Sequence, residues 1–238
     1  MFEPIRKKSL PQKVYEQLQE KIVGGSFEPG EPLPGERRLA EMLQVNRNAV
    51  REALKRLEQA RLISIQHGGA TTVLNFLRTA GMDLLGQIVM GADGALNLKA
   101  VRSLMEMRSA IGPDVARLCA LRWEAPLDER LLAIVLAMEQ ADPADLARLQ
   151  ALDMDLWMVL VGGSDNVAYQ LAFNSIRDAW DNIGALMVRV MAAEVADVTR
   201  HRLLAEAVVA RDPEAAERVA RELNRTGEKG VVEALEAV

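Results

Sequence analysis

Two stretches carry residue types and spacings that could do recognition chemistry. "QVNRNAVR", residues 44–51, packs amides and arginines into the start of an apolar-periodic run, and "IQHGGATT", residues 65–72, sets two glycines after a histidine between β-branched stretches. An arginine can grip guanine O6 and N7 with both arms of its guanidinium, and an asparagine amide can pair with adenine. Asn46, Arg47, Asn48 and Arg51 stand at the helix start, which is the part of a recognition helix that faces base edges. His67, Gly68 and Gly69 make a tight hairpin tip, where glycine lets backbone approach a narrow groove. Arg37 and Arg38, on the preceding helix, are within reach of phosphates. A capped, solvated helix and a surface hairpin account for each feature singly; the ordered set favours DNA.

Catalysis has little to work with. The chain holds one cysteine, Cys119, and two histidines, His67 and His201. No nucleophile–base pair, phosphate loop or metal cluster can be assembled from these residues, so no enzyme and no cofactor are expected. A protein that only shapes DNA, without a ligand, remains an alternative that an effector changing DNA affinity would exclude. No apolar run approaches the ~20 residues of a membrane span, and MFEPIRKKSL lacks the apolar stretch of a signal peptide. With one cysteine an intramolecular disulfide is impossible. A reducing cytoplasm and no membrane partner are therefore expected.

Charge is uneven along the chain. Residues 1–75 hold 12 Lys and Arg against 9 Glu, a net of +3, whereas the remainder holds 17 against 25, a net of −8. A basic third on an acidic whole fits a polyanion-binding module joined to something else. The elements that position the two motifs are legible too. Val14, Leu18 and Ile22 form one helical stripe, with Pro11 in the first turn and Gly24-Gly25 ending it. "ERRLAEMLQV" reads as a short helix with Leu39, Ala40 and Leu43 inward. Asn46 can cap the next helix, whose inner stripe is Val50, Leu54 and Leu57, with Arg47, Arg51 and Lys55 opposite. Ile63 and Ile65, the Gly-Gly turn and Thr72-Val73 complete a hairpin. Three helices and a hairpin in this order make a winged helix-turn-helix over residues 1–75.

Residues 76–84 read as a linker, and 85–238 as an all-helical effector-binding and dimerisation domain of six or seven helices. The fold class is thus mainly α. Expected breaks are Gly91–Gly94, Gly112-Pro113, Glu124–Pro126, Asp142-Pro143, Gly162-Gly163 and Asp212-Pro213. Asp142 and Asp212 are each expected to cap a helix with proline at its first position, and Gly112-Pro113 to kink or end one.

"FEPGEPLPGERRLAEMLQVNRNAVREALKRLEQARLISIQHGGATTV" resembles the DNA-binding domain of GntR-type bacterial transcription regulators. "ISIQHGGATTVLNFLRTAGMDLLGQI" and "LDMDLWMVLVGGSDNVAYQLAFNSI" are similar to the fatty-acid-responsive FadR subgroup. The resemblance implies DNA contacts by Arg37, Arg47 and Arg51, with Asn46 and Asn48 at neighbouring recognition positions and His67 and Gly68 in the minor groove. It also implies a homodimer on a palindromic operator in double-stranded DNA. Gly69 stands where the subgroup has lysine, and Asn46 and Asn48 where it has threonine.

For the helical domain the resemblance implies two things. Relatives often hold a metal with an aspartate and three histidines; here those positions fall at Asp153, Trp157, His201 and near Leu223, so no metal is expected. The FadR subgroup lacks that site and is released from DNA by long-chain acyl-CoA. Arg108 aligns with an arginine near the effector cavity, to meet an anionic ligand or Asp153, and Trp157 overlies the lost site. In the subgroup's stretch for the CoA end, only the Thr226 hydroxyl and Gly227 fit. Acyl-CoA is the leading effector, with control of fatty acid metabolism genes; a small organic acid held by Arg108 without metal is the alternative.

Overall fold

The computed structural model describes residues 9–66, 69–90 and 95–236, apart from the side chains of 181, 182, 185, 186, 235 and 236. Contacts divide the chain into two compact units, Met1–Leu96 and Asn97–Val238.

In the first unit, helix α1 (Leu10–Val23) buries Val14, Leu18 and Ile22, the stripe its spacing predicts. Proline sits in its first turn, where a missing N–H costs nothing. Helix α2 (Glu36–Leu43) buries Leu39 and Ala40, and α3 (Arg47–Gln59) buries Val50, Leu54 and Leu57. Strands β1 (Ile63–Ile65) and β2 (Thr71–Val73) pair antiparallel, with Ile63 opposite Val73 and Ile65 opposite Thr71. The turn before α2 adds a third edge: Gly30, at φ +91, donates to the Val73 carbonyl, and Leu33 to that of Thr71. These elements close on one core, and the wing is tied to α3 where the Ile65 N–H donates to Glu58 Oε1 at 3.0 Å.

The segment expected as a linker is built into this unit. Helix α4 (Phe76–Thr79), a 3₁₀ turn (Met82–Leu84) and α5 (Leu85–Val89) follow the wing, and Leu84 is buried in the same core as α1. Helices of one turn have no period to read in a sequence; tertiary packing rather than propensity holds them.

From Leu98 onward the described residues form seven helices: α6 (Leu98–Arg122), α7 (Leu127–Gln140), α8 (Leu146–Gly163), α9 (Val167–Val190), α10 (Ala192–Val195), α11 (Val198–Val209) and α12 (Pro213–Glu236). One expected break and one expected cap differ. Gly112-Pro113 neither ends nor divides α6, which runs through Pro113. Proline removes one N–H from the ladder there, while Asn224 of α12 donates to the Arg108 carbonyl at 3.3 Å. Asp142 holds only a turn, its Oδ1 accepting from Ala144; the cap of α8 is Asp145, which accepts from Arg148. Asp212 does cap α12, with Pro213 at the first helical position. The Gly91–Gly94 break lies outside the described residues.

The central core of this unit joins α6, α7, α8, α11 and α12. Cys119 on α6 is fully buried, and a Cβ on Gly163 of α8 would stand 2.6 Å from its Sγ. Burial pushes the Cys119 thiol up to about 12. Native protein is therefore expected to leave Cys119 unmodified by iodoacetamide at neutral pH and to react once unfolded in urea, as read by mass spectrometry; rapid labelling of the native chain would contradict this.

Candidate nucleic-acid interface and effector cavity

The polar start of α3 is positioned by its own cap. Asn46 Oδ1 accepts from the Ala49 N–H at 2.8 Å, which fixes where the helix begins. That bond uses the amide oxygen of Asn46, whereas Asn48 is exposed beside it. Arg47 and Arg51 lie one turn apart on the exposed face and converge on Glu36, at the first turn of α2. Arg51 is bidentate, with Nε and Nη2 at 3.1 and 2.9 Å from the two carboxylate oxygens, and Arg47 Nη2 stands 3.8 Å away. The Arg51 hydrogen bond holds the Glu36 carboxyl below the usual carboxylate range. Arg37 and Arg38 share Glu41 at 3.1 and 3.7 Å and remain largely exposed. The helix starts therefore carry a cluster of exposed cations held by two carboxylates. Gly69 closes the wing turn through its N–H on the Gln66 carbonyl, while His67 and Gly68 lie outside the described residues.

The second unit holds a small cavity of about 30 Å³ among α6, α8 and α9. Its walls are chiefly apolar, from Ile111, Val115, Met154, Phe173, Ile176 and Met191. Its polar lining includes Arg108, Gln150, Asp153, Trp157 and Trp180. A groove of about 400 Å³ against α8 and α9 shares Gln150, Met154 and Trp180 with it, so these three side chains form the wall between the two spaces.

Beside the cavity lies a buried charged cluster. Arg108 of α6 donates through both guanidinium arms to the Glu194 carboxylate of α10, Nη1 at 3.0 Å from Oε2, and Glu194 is fully buried. The partner foreseen for Arg108 was a ligand anion or Asp153; the structure supplies Glu194. Burial opposes the charge of Arg108, but the Glu194 carboxylate outweighs it and raises the guanidinium pKa. Burial pushes Glu194 itself up, with Arg108 offsetting part of the shift. Asp153 instead meets His201: Nε2 is 3.0 Å from Asp153 Oδ1 and Nδ1 is 2.9 Å from the Asp197 carbonyl. A carbonyl only accepts, so Nδ1 carries a proton, and a second proton lies between Nε2 and the carboxylate.

Burial opposes charging of His201, but Asp153 outweighs it and raises the imidazole above its ordinary 6.5. Facing this ring are Asp153 from α8, Glu194 from α10 and, beyond Glu194, Arg108 from α6. The folded state thus holds more protons than the unfolded one. Stabilisation from His201 is complete below about pH 6.5 and is lost as pH rises through the higher folded value. Thermal melts are expected to show Tm falling as pH rises above about 6.5, with a shallower slope in His201→Gln; a slope that is flat or rising in the wild type contradicts the assignment.

The donors do not fit a metal. Trp157 and Leu223 stand at the other two positions of the implied ligand set, His201 commits both ring nitrogens, and Glu194 is held by Arg108. Among the described residues no group of three or more His, Cys, Asp or Glu is placed to hold an ion.

Of the residues expected at the effector site, Arg108, Asp153 and Trp157 line the cavity, and His201 stands behind Asp153. Thr226 and Gly227 do not line it. The Thr226 hydroxyl donates to the Glu222 carbonyl of its own helix, and Gly227 faces Glu194 and Met191, where a Cβ would collide with the buried carboxylate. Glu194, Gln150, Trp180 and Glu36 were missed. Glu194 left one signal, a single acid in the apolar run "ALMVRVMAAEVA"; Gln150 and Trp180 left none, since only the packing of α8 on α9 brings them together.

Comparison with known proteins agrees with this architecture. The model of bacterial regulatory proteins of the gntR family matches residues 10–73, and the FCD domain model matches residues 103–226. The HTH-type transcriptional regulator Mce2R of Mycobacterium tuberculosis is 37% identical over 222 residues, covering 93% of this chain and 91% of that protein. The fatty acid metabolism regulator protein of Serratia proteamaculans is 31% identical over 169 residues, covering 71% of this chain and 68% of that protein. Among solved structures, Lar, which controls expression of the Listeria monocytogenes agr system and mediates virulence, superposes with a TM-score of 0.62 at 18% identity, over 96% of this chain and 99% of that one. A capped, cationic α3 beside a β-wing, followed by an FCD domain around a cavity, has its place in this lineage: the chain belongs to the GntR family of bacterial regulatory proteins and is a DNA-binding transcription regulator with an effector-binding FCD domain, not an enzyme.

Proposed function

We propose that this regulator is a cytoplasmic homodimer that reads a palindromic operator and is released from it by a long-chain acyl-CoA, controlling genes of fatty acid metabolism. One observation carries the reading. The cavity is walled by apolar side chains, and its one cation, Arg108, is already neutralised by Glu194. An apolar chain gains by burial there, while a ligand carboxylate finds no free positive partner. The names of the fatty acid metabolism regulators at 31–33% identity support the same class of regulated genes.

At about 30 Å³ the closed cavity is far below the ~300–1,000 Å³ of ordinary ligand sites, so a long chain requires Met154 and Met191 to move and the wall toward the groove to open. That size favours the second reading, a small organic acid, which then has to displace Glu194 from Arg108. The CoA end is not served by Thr226 or Gly227, so the acyl end carries the recognition.

Calorimetric titration of delipidated protein with palmitoyl-CoA below its micelle concentration is expected to give about one ligand per subunit. Saturating palmitoyl-CoA is expected to weaken operator binding by about 5–150-fold, and operator DNA to weaken palmitoyl-CoA by the same factor. No heat with palmitoyl-CoA, together with binding of short carboxylates, replaces this reading with the second.

A further inference from the structure

The cavity carries a polar signature of its own. Six buried side-chain nitrogen or oxygen atoms among the described residues lack a hydrogen-bond partner, and three of them, Gln150 Oε1, Trp157 Nε1 and Trp180 Nε1, belong to side chains lining this one space. All three residues are more than nine-tenths buried, at 6%, 5% and 7% exposure. The remaining tryptophan shows the usual solution: Trp123 Nε1 donates to the Val208 carbonyl at 3.0 Å. Orphaned indole N–H groups are uncommon in cores, and two of them on side chains that line one cavity, one from α8 and one from α9, match a ligand that supplies the acceptor.

The chemistry of that ligand follows from charge. Two indoles and a carboxamide are neutral. The ionisable groups beside them are committed, Arg108 to Glu194 and Asp153 to His201. A carboxylate in this position would meet Asp153 and Glu194 without a free cation. A hydroxyl or a carbonyl fits instead: either accepts from two N–H groups, and a hydroxyl also donates to an amide oxygen.

We propose that Trp157, Trp180 and Gln150 recognise an uncharged oxygen, hydroxyl or carbonyl, carried on an otherwise apolar effector, so that this domain selects an oxygenated chain over plain hydrocarbon. The inference deepens the acyl reading above and rests on it for the apolar part of the ligand. It makes the three side chains specificity determinants of the cavity.

The test uses the full chain with ¹⁵N-labelled indoles and four eight-carbon probes: 1-octanol, 2-octanone, 1-fluorooctane and octanoate. Trp→Phe variants assign the three indole signals. The alcohol and the ketone are expected to move the Trp157 and Trp180 signals, to leave Trp123 in place, and to bind about fivefold or more tightly than 1-fluorooctane or octanoate. A preference for alcohol over ketone identifies a hydroxyl as the source, and the reverse a carbonyl. Gln150→Met is expected to keep 1-fluorooctane binding and reduce the advantage of 1-octanol. Equal affinity for 1-fluorooctane, tighter binding of octanoate, or indole signals that do not move because water alone satisfies them overturns the proposal. Palmitoyl-CoA on the same sample separates the two failures. If it binds while the indoles ignore 1-octanol, the selectivity is wrong and the acyl reading stands; if 1-octanol moves the indoles and palmitoyl-CoA does not bind, the reverse holds.

Discussion

Glu194→Ala is expected to destabilise the second unit by about 3–5 kcal/mol, read as a lower urea midpoint with an unchanged slope. The magnitude comes from what is left behind rather than from the contact removed. The Arg108 side chain is 13% exposed and that of Glu194 fully buried, so truncating the acid strands a guanidinium in an apolar surround. Asp153 also favours the Arg108 charge and meets His201 through Oδ1 alone, so any rescue by its second oxygen would move the loss toward the lower end of that range. Backbone is shaped around this pair as well: α12 passes Glu194 through Gly227, where any Cβ would meet the carboxylate. The double variant Arg108→Met with Glu194→Met removes both charges, and it is expected to recover most of the loss, since a buried ion pair and a packed apolar pair are often close in stability. A loss below about 1 kcal/mol in the single variant, or a double variant worse than the single one, would show that solvent reaches the pair and that the cluster is not a dry one.

That cluster also marks the limit of what the sequence reveals. The winged helix was legible because each element carries local signals: the four-residue stripes of α1 and α3, the Asn46 cap, and the alternation of Ile63 and Ile65 around glycines. Arg108 was legible as a charge needing a partner, since an arginine among methionines and isoleucine is costly to bury alone. Its partner was not, because 86 residues separate it from Glu194 and only the crossing of α10 on the bundle brings them together. Asp142 misled for a related reason. An Asp-Pro step satisfies a tight turn as well as a helix start, and the competing cap, Asp145, lies three residues on. Gly112-Pro113 misled because a proline within a long helix is tolerated when neighbours hold that helix on both sides, as α8 and α12 do through Trp157 and Asn224.

On the DNA side, Arg47→Ala is expected to weaken specific operator binding by about 1–3 kcal/mol while leaving binding to unrelated duplex nearly unchanged, as befits a base-reading side chain. Arg37→Ala is expected to behave differently, weakening both alike and lowering the salt dependence by about one counterion, as a phosphate contact does. The geometry explains why Arg47 is the cleaner probe. Asn46 holds the first turn of α3, so Asn46→Ala carries a stability cost of about 1 kcal/mol that would be mistaken for lost recognition. Arg51 is bound at both arms to Glu36, and its replacement frees that carboxylate beside the DNA, mixing lost attraction with new repulsion. Arg47 stands 3.8 Å from Glu36, outside hydrogen-bonding distance, and its side chain is 61% exposed, so turning to a base edge would give up only a long ion pair and no hydrogen bond. The comparison is made by titrating the duplex that wild-type protein selects from a random pool, and a scrambled duplex, at several salt concentrations. Unchanged affinity of Arg47→Ala for the selected duplex would move the reading head away from the start of α3; equal loss on both duplexes would make Arg47 a phosphate contact and leave Asn48 as the candidate reader at that end of the helix.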